Sequence, residues 1–283
     1  MKKKEKKIRK VKDVVLPSNY HELFFDTIKQ NWQVIILIGV FSFLFFLPTI
    51  GFMFASDYYF MLLTSSTSYT EAEIDALRIT SRNLFDIGVA LGIIFAAIGV
   101  SGLSRINLLI AREEGLFFFK DFNKGVKQNI KSNIIFFIIY AALIYCSLLV
   151  INNINSTFIK YIPFAVIQTI FFPILLTNIE TNSIYDWKIK DNFRNSSLIF
   201  IKNFIFVILF SLLLTSILLL NLIKYIFLKY ILIALIIIFI YPFVILMIRV
   251  FFNKVLDRDI NKENYPEIYK KGIYERSENG KLY

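Results

Sequence analysis

One cysteine (Cys146) and one histidine (His21) occur among 283 residues. A single thiol excludes an intrachain disulfide and any cysteine-cluster metal site. A single imidazole excludes a paired-histidine metal site and a histidine proton relay. A Ser–His–Asp set would have to use His21, which stands ahead of the first apolar run. No glycine-rich phosphate loop of Walker form occurs. No catalytic residue, metal ligand or cofactor is therefore assigned, and the chain is expected not to be an enzyme. Charge is scarce as well: 19% of residues are Asp, Glu, Lys or Arg, against about 25% in ordinary soluble domains.

Apolar mass fills the gap. Hydrophobic residues make up 57% of the chain, including 31 Phe and 15 Tyr, and mean hydropathy is +0.61. A helix crossing about 30 Å of hydrocarbon needs about 20 mostly apolar residues. Six runs qualify: 34–55, 87–104, 134–151, 158–176, 204–220 and 230–248. None contains Asp, Glu or Arg, and only Lys160 intrudes. The runs are continuously apolar and do not alternate, which reads as helices and not as strands of a membrane barrel. The fold class is all-α: a polytopic bundle of six transmembrane helices with short interfacial amphipathic helices. A basic segment 1–31, a transmembrane domain 32–250 and a tail 251–283 divide the chain.

The +11 net charge follows the spans. Of 32 Lys and Arg, 27 fall in 1–31, 105–133, 177–203 and 249–283, and five fall in the intervening loops. Six spans put all 27 on one side, which the positive-inside rule assigns to the cytoplasm. Both termini are expected there, in a multi-pass plasma-membrane protein. The cations border spans, so anionic lipid headgroups and not nucleic acid are their expected company. The first apolar run follows about thirty polar residues and is long enough to span, so it is expected to remain as a span and not to be cleaved as a signal peptide.

No internal repeat stands out at a solenoid period. Residues 18–31 predict an interfacial helix carrying His21, capped by Ser18 or Asn19, and the head before it is expected to be mobile. Loop 56–84 is the one sizeable outer segment. It carries a capping box, Thr70 with Glu73, ahead of a short acidic helix over 71–84. Residues 112–133 predict an amphipathic helix with Lys120, Lys124, Lys127 and Lys131 on one face and Phe118, Phe119, Phe122, Val126 and Ile130 opposite. Two readings stay open: a helix half-sunk in the inner leaflet, or a docking surface for a partner or lipid built on Lys120, Asp121, Phe122, Lys124, Lys127 and Lys131. Gly88, Gly92, Gly99 and Gly102 suit close helix packing, within the chain or across a homo-oligomer face. Pro48 and Pro242 are expected to kink spans one and six. Asp86, at the outer end of span two, is the nearest candidate for an ion-coupling acid but reads first as a helix cap near the interface, and Cys146 reads as a small buried hydrophobe.

Three stretches resemble the YesL-like family of uncharacterised bacterial membrane proteins. Leu47-Pro48-Thr49-Ile50-Gly51 looks like that family's LP-x-T-x-G stretch. Gly102, Arg105, Glu114, Phe119, Asp121, Phe122, Lys127 and Asn129 are similar to its first cytoplasmic loop, and NFRNSSL at 192–198 to its second. The resemblance covers most of residues 20–250. It implies six spans, no catalytic residues, and an accessory or assembly role beside a carbohydrate transport system, with a sugar-transporter subunit as partner. A small-solute permease, with a cavity near Pro48, Gly92, Gln168 and Pro173, is the alternative.

Overall fold

The computed structural model describes residues 16–65, 69–154, 156 and 158–274; the basic head and the last residues lie outside them. No strand occurs among the described residues. Seven long helices follow in order among the described residues: α1 (Tyr20–Ser65), α2 (Glu71–Ile110), α3 (Phe118–Asn153), α4 (Ile159–Asn182), α5 (Ile189–Lys202), α6 (Phe204–Leu222) and α7 (Ile226–Asn264). All but α5 are long and apolar enough to span a membrane. Exposed Leu91, Ile138, Leu209, Ile231 and Phe239 cover the outside, as a surface that meets lipid instead of water requires.

Several elements run longer than the apolar windows. Non-helical angles at Asn31 (φ −117°, ψ 20°) separate an entry segment of α1 from the span, and the backbone stays helical through Pro48. The break in α1 therefore sits at Asn31 and not at the proline. The Asn19 side chain accepts from the Glu22 N–H, which caps the entry turn. Beyond the span α1 continues to Ser65, and the expected acidic helix 71–84 is the first part of α2. The described part of the outer connection is reduced to Tyr69 and Thr70. Thr70 and Glu73 form the expected capping box, with Thr70 N–H donating to the Glu73 carboxylate at 2.9 Å.

Two inner prolines follow wide turns. A π-helical turn at Ile167–Phe171 precedes Pro173, and another at Ile236–Ile240 precedes Pro242. A proline cannot donate to the preceding turn and its ring crowds that carbonyl, and a wide turn absorbs the mismatch without ending the helix. At the second of these turns α1 comes closest. The Gly39 backbone lies against the Ile238 carbonyl and Pro242, where a Cβ would collide.

α1 and α2 pack antiparallel along the glycine stripe. Gly88 faces the Phe52 ring, Gly92 faces Thr49, and Gly99 faces Phe45. Three of the four glycines are thus covered by α1, and Gly102 by Phe122 of α3, within the same chain. Cys146, expected inside, is exposed on α3 among lipid-facing residues. The expected tail boundary at 251 falls inside α7, where Phe252, Val255 and Leu256 are buried. Tyr274 N–H donates to the Pro17 carbonyl at 2.9 Å, so residues 17 and 274 meet at one end of the bundle, the terminal end.

Candidate functional site

The terminal end carries a basic collar around a buried polar core. The collar begins with α3. The Phe122 ring rests on Gly102, Gly125 lies against Arg105 and the Ser101 carbonyl, and Asn129 and Asn133 donate to the Ser101 carbonyl (3.2 Å) and Oγ (2.9 Å). Four successive turns of α3 meet one turn of α2. The first third of α3 therefore runs across α2 and not down beside it. Its aromatic side reaches α1: Phe41 lies 5.0 Å from Phe118 and 5.6 Å from Phe122, and Phe45 stacks on Phe122 at 5.7 Å.

Of the six residues assigned to docking, Lys120, Lys124, Lys127 and Lys131 are exposed, and the other two are engaged within the chain. Phe122 is buried. Asp121 accepts from the Phe117 N–H at 2.8 Å, closing the helix start, and lies 3.9 Å from Arg105 Nε. Arg105 Nη1 donates to Gln128 at 2.8 Å. This ties the collar to α2.

α5 repeats the device. Asn192 accepts from Thr181 Oγ1 at 2.8 Å and donates to Ser132, while Phe193 stacks on Phe136. Lys188, Lys190, Arg194 and Lys202 are exposed. Both helices open on Lys-Asp with an Asn twelve residues after the Asp: Lys120-Asp121 with Asn133, and Lys190-Asp191 with Asn203. That spacing is a sequence signal for the second collar helix. At Asn133 the helix continues, whereas at Asn203 (φ −124°, ψ 26°) it breaks into α6.

Inside the collar stands an ion pair that the apolar windows just missed. Arg249 and Glu180 lie beyond residues 248 and 176. The Arg249 Nε is 2.8 Å from Glu180 Oε2, its Nη1 donates to the Glu180 carbonyl at 3.1 Å, and its Nη2 donates to the Ser104 carbonyl at 3.3 Å. Their side chains are 0% and 4% exposed. One guanidinium thus joins α2, α4 and α7. Every fourth residue of α7 from there is polar and buried: Arg249, Asn253, Asp257 and Asn261. Asp257 accepts from Tyr20 Oη, from Asn261 and from the Lys270 N–H, and Asn261 accepts from Tyr185 Oη. The four-residue period was legible in the sequence, hidden by its place past the window's edge.

Arg112 stands over this ladder. Burial pulls its pKa down, against the opposing pull of Glu114, Asp257, Tyr185 and Tyr20. The segment after α7 closes the end: Lys271 pairs with Glu114 at 2.9 Å, and Gly272 (φ +84°) rests against the Arg112 backbone.

At the opposite end, Lys229 pairs with Asp57, which also accepts from Tyr230 Oη at 2.9 Å. Asp86 accepts from Asn152 at 2.7 Å. Near the expected permease cavity, Gln168 is hydrogen-bonded to Tyr140 at 3.1 Å and Gly92 is covered by Thr49. Those positions are used in packing. No group of three or more His, Cys, Asp or Glu placed to hold a metal occurs among the described residues.

The six apolar helices define an integral, multi-pass membrane protein. Comparison with protein-family models, curated proteins and solved structures gives no match.

Proposed function

We propose that the chain is a non-enzymatic accessory or assembly factor of a transport system in a bacterial plasma membrane. Its terminal end faces the cytoplasm, where 27 of 32 Lys and Arg belong by the positive-inside rule. The resemblance to the YesL-like family suggests a carbohydrate system, with a sugar-permease subunit as partner. One observation carries the reading. Phe118 and Phe122 of the α3 start pack on Phe41 of α1, and this leaves Lys120, Lys124, Lys127 and Lys131 exposed on the helix, with Phe119 exposed beside them. A rigid basic face beside the headgroup layer suits anionic lipid and an acidic partner surface together.

The test is affinity capture from the native membrane. Changing Lys120, Lys124 and Lys127 together to Glu is expected to cut recovery of transporter subunits by about tenfold or more, since each reversed contact makes like charges meet. Undiminished recovery by a normally inserted triple variant would overturn the docking role. A reporter fused after Tyr283 is expected on the cytoplasmic side.

A further inference from the structure

The polar ladder of α7 holds more hydrogen-bonding atoms than the chain satisfies. Oδ1 of Asn107, Oδ1 of Asn253 and both amide atoms of Asn178 are buried without a hydrogen-bond partner among the described residues. The places of the first two are related. Asn107 follows Ser104 by three residues on α2, and Asn253 follows Arg249 by four on α7. Arg249 donates to the Ser104 carbonyl, so these two faces oppose each other. Both amides then lie about one turn, roughly 5 Å, nearer the terminal end than the ion pair. Asn178 belongs to α4, two residues before Glu180. One turn further along α7 comes Asp257, with Tyr20, Asn261 and the Lys270 N–H on its carboxylate.

A buried amide with no partner costs about 1–3 kcal/mol. Two unpartnered amides on the facing sides of α2 and α7, one turn from the ion pair, point to small molecules between them, whereas Asn178 faces about 160° round α4 from Glu180 and stands apart. We propose that the space between α2, α4 and α7 holds a short file of ordered waters, running from the terminal-end solution past Asp257 and the Asn253–Asn107 level to the Glu180–Arg249 pair. Water fits the chemistry. Two carboxyls, Glu180 and Asp257, stand against two guanidiniums, Arg249 and Arg112, so the acids and bases of the site are matched in number. The unfilled positions are amide oxygens one turn from a donating guanidinium, and a molecule that both donates and accepts can bridge among them. On the opposite side of the ion pair α7 presents fully buried Leu246 and then Pro242 packed on Gly39.

The experiment uses the full chain, labelled with ¹⁵N-asparagine, in lipid nanodiscs. Magnetisation is transferred selectively from water to the side-chain NH₂ groups, and the signals are assigned with Asn253→Leu and Asn107→Leu. Transfer to Asn253 and Asn107 is expected within about threefold of that to exposed Asn123, as for groups bonded to exchanging water. Silent signals at both positions would overturn the proposal. Thermal unfolding reads the same question by its sign. With water present, Asn253→Leu evicts it and lowers the melting temperature; in a dry site the same change removes an unsatisfied group and raises it.

Discussion

Two single positions show how far local sequence decides. Gly39 and Gly51 are both glycines on one apolar helix, and nothing in their neighbours distinguishes them. A Cβ at Gly39 runs into the Ile238 carbonyl, whereas one at Gly51 has open space. Gly39→Ala is expected to cost about 1–3 kcal/mol by overpacking, while Gly51→Ala leaves the melting temperature in detergent unchanged or slightly raised. Glu113 gives a pH prediction. Its φ is +53°, and burial, followed by the neighbouring Asp26 carboxyl, raises its pKa from the ordinary 4.5, against a lowering hydrogen bond from Tyr274. An acid raised in the fold is disfavoured in its charged form. The penalty is absent below its unfolded pKa and grows as pH climbs through the folded one. Glu113→Gln is expected to raise the melting temperature at pH 7 by about 1–2 °C, a small effect for a half-exposed group, with no difference from the parent near pH 4.

At the scale of elements, the amphipathic pattern of 112–133 identified a helix with a basic and an aromatic face. It did not say that this helix would be continuous with span three or cross α2. The crossing is decided by Gly102, Gly125, Asn129 and Asn133 meeting a single turn around Ser101, a set drawn from two helices. Gly125→Ala places a Cβ 2.7 Å from that of Arg105 and 3.0 Å from the Ser101 carbonyl. It is expected to lift α3 off α2 and to increase proteolytic cleavage between 111 and 131, while the spans remain inserted. α5 was harder to find from sequence, because two of the three buried residues on its inner side, Asn192 and Ser196, are polar and satisfied by Thr181 and Ser132, and only Ile199 is apolar. A pattern search for apolar faces overlooks a helix seated by hydrogen bonds.

For the whole molecule, the Arg249–Glu180 pair is the crosslink of the terminal end. Removing one partner leaves a buried charge uncompensated, at a cost of about 3–5 kcal/mol, whereas replacing both by apolar residues of similar size is often close to neutral. Glu180→Ala is expected to destabilise strongly, and Glu180→Leu with Arg249→Met to recover most of the loss; resistance to unfolding in mixed detergent measures both. The segment 265–274 is held to the same end through Asp257, Glu114 and Pro17. Tyr20→Phe removes the hydroxyl that steadies the Asp257 carboxylate and is expected to speed hydrogen exchange at Lys270 and Tyr274 without altering the spans.

Six crossings and the separation of basic from apolar segments were present in the sequence alone, because transfer of side chains between water and hydrocarbon depends on composition over a window and hardly on neighbours. Which glycines are crowded, where α3 turns, and which charges just past each window are sealed inside were settled only by the tertiary arrangement. Those outcomes depend on contacts between residues tens of positions apart, and a polar group at a span's edge is equally compatible with facing solvent or closing a core until its partners on other helices are in place.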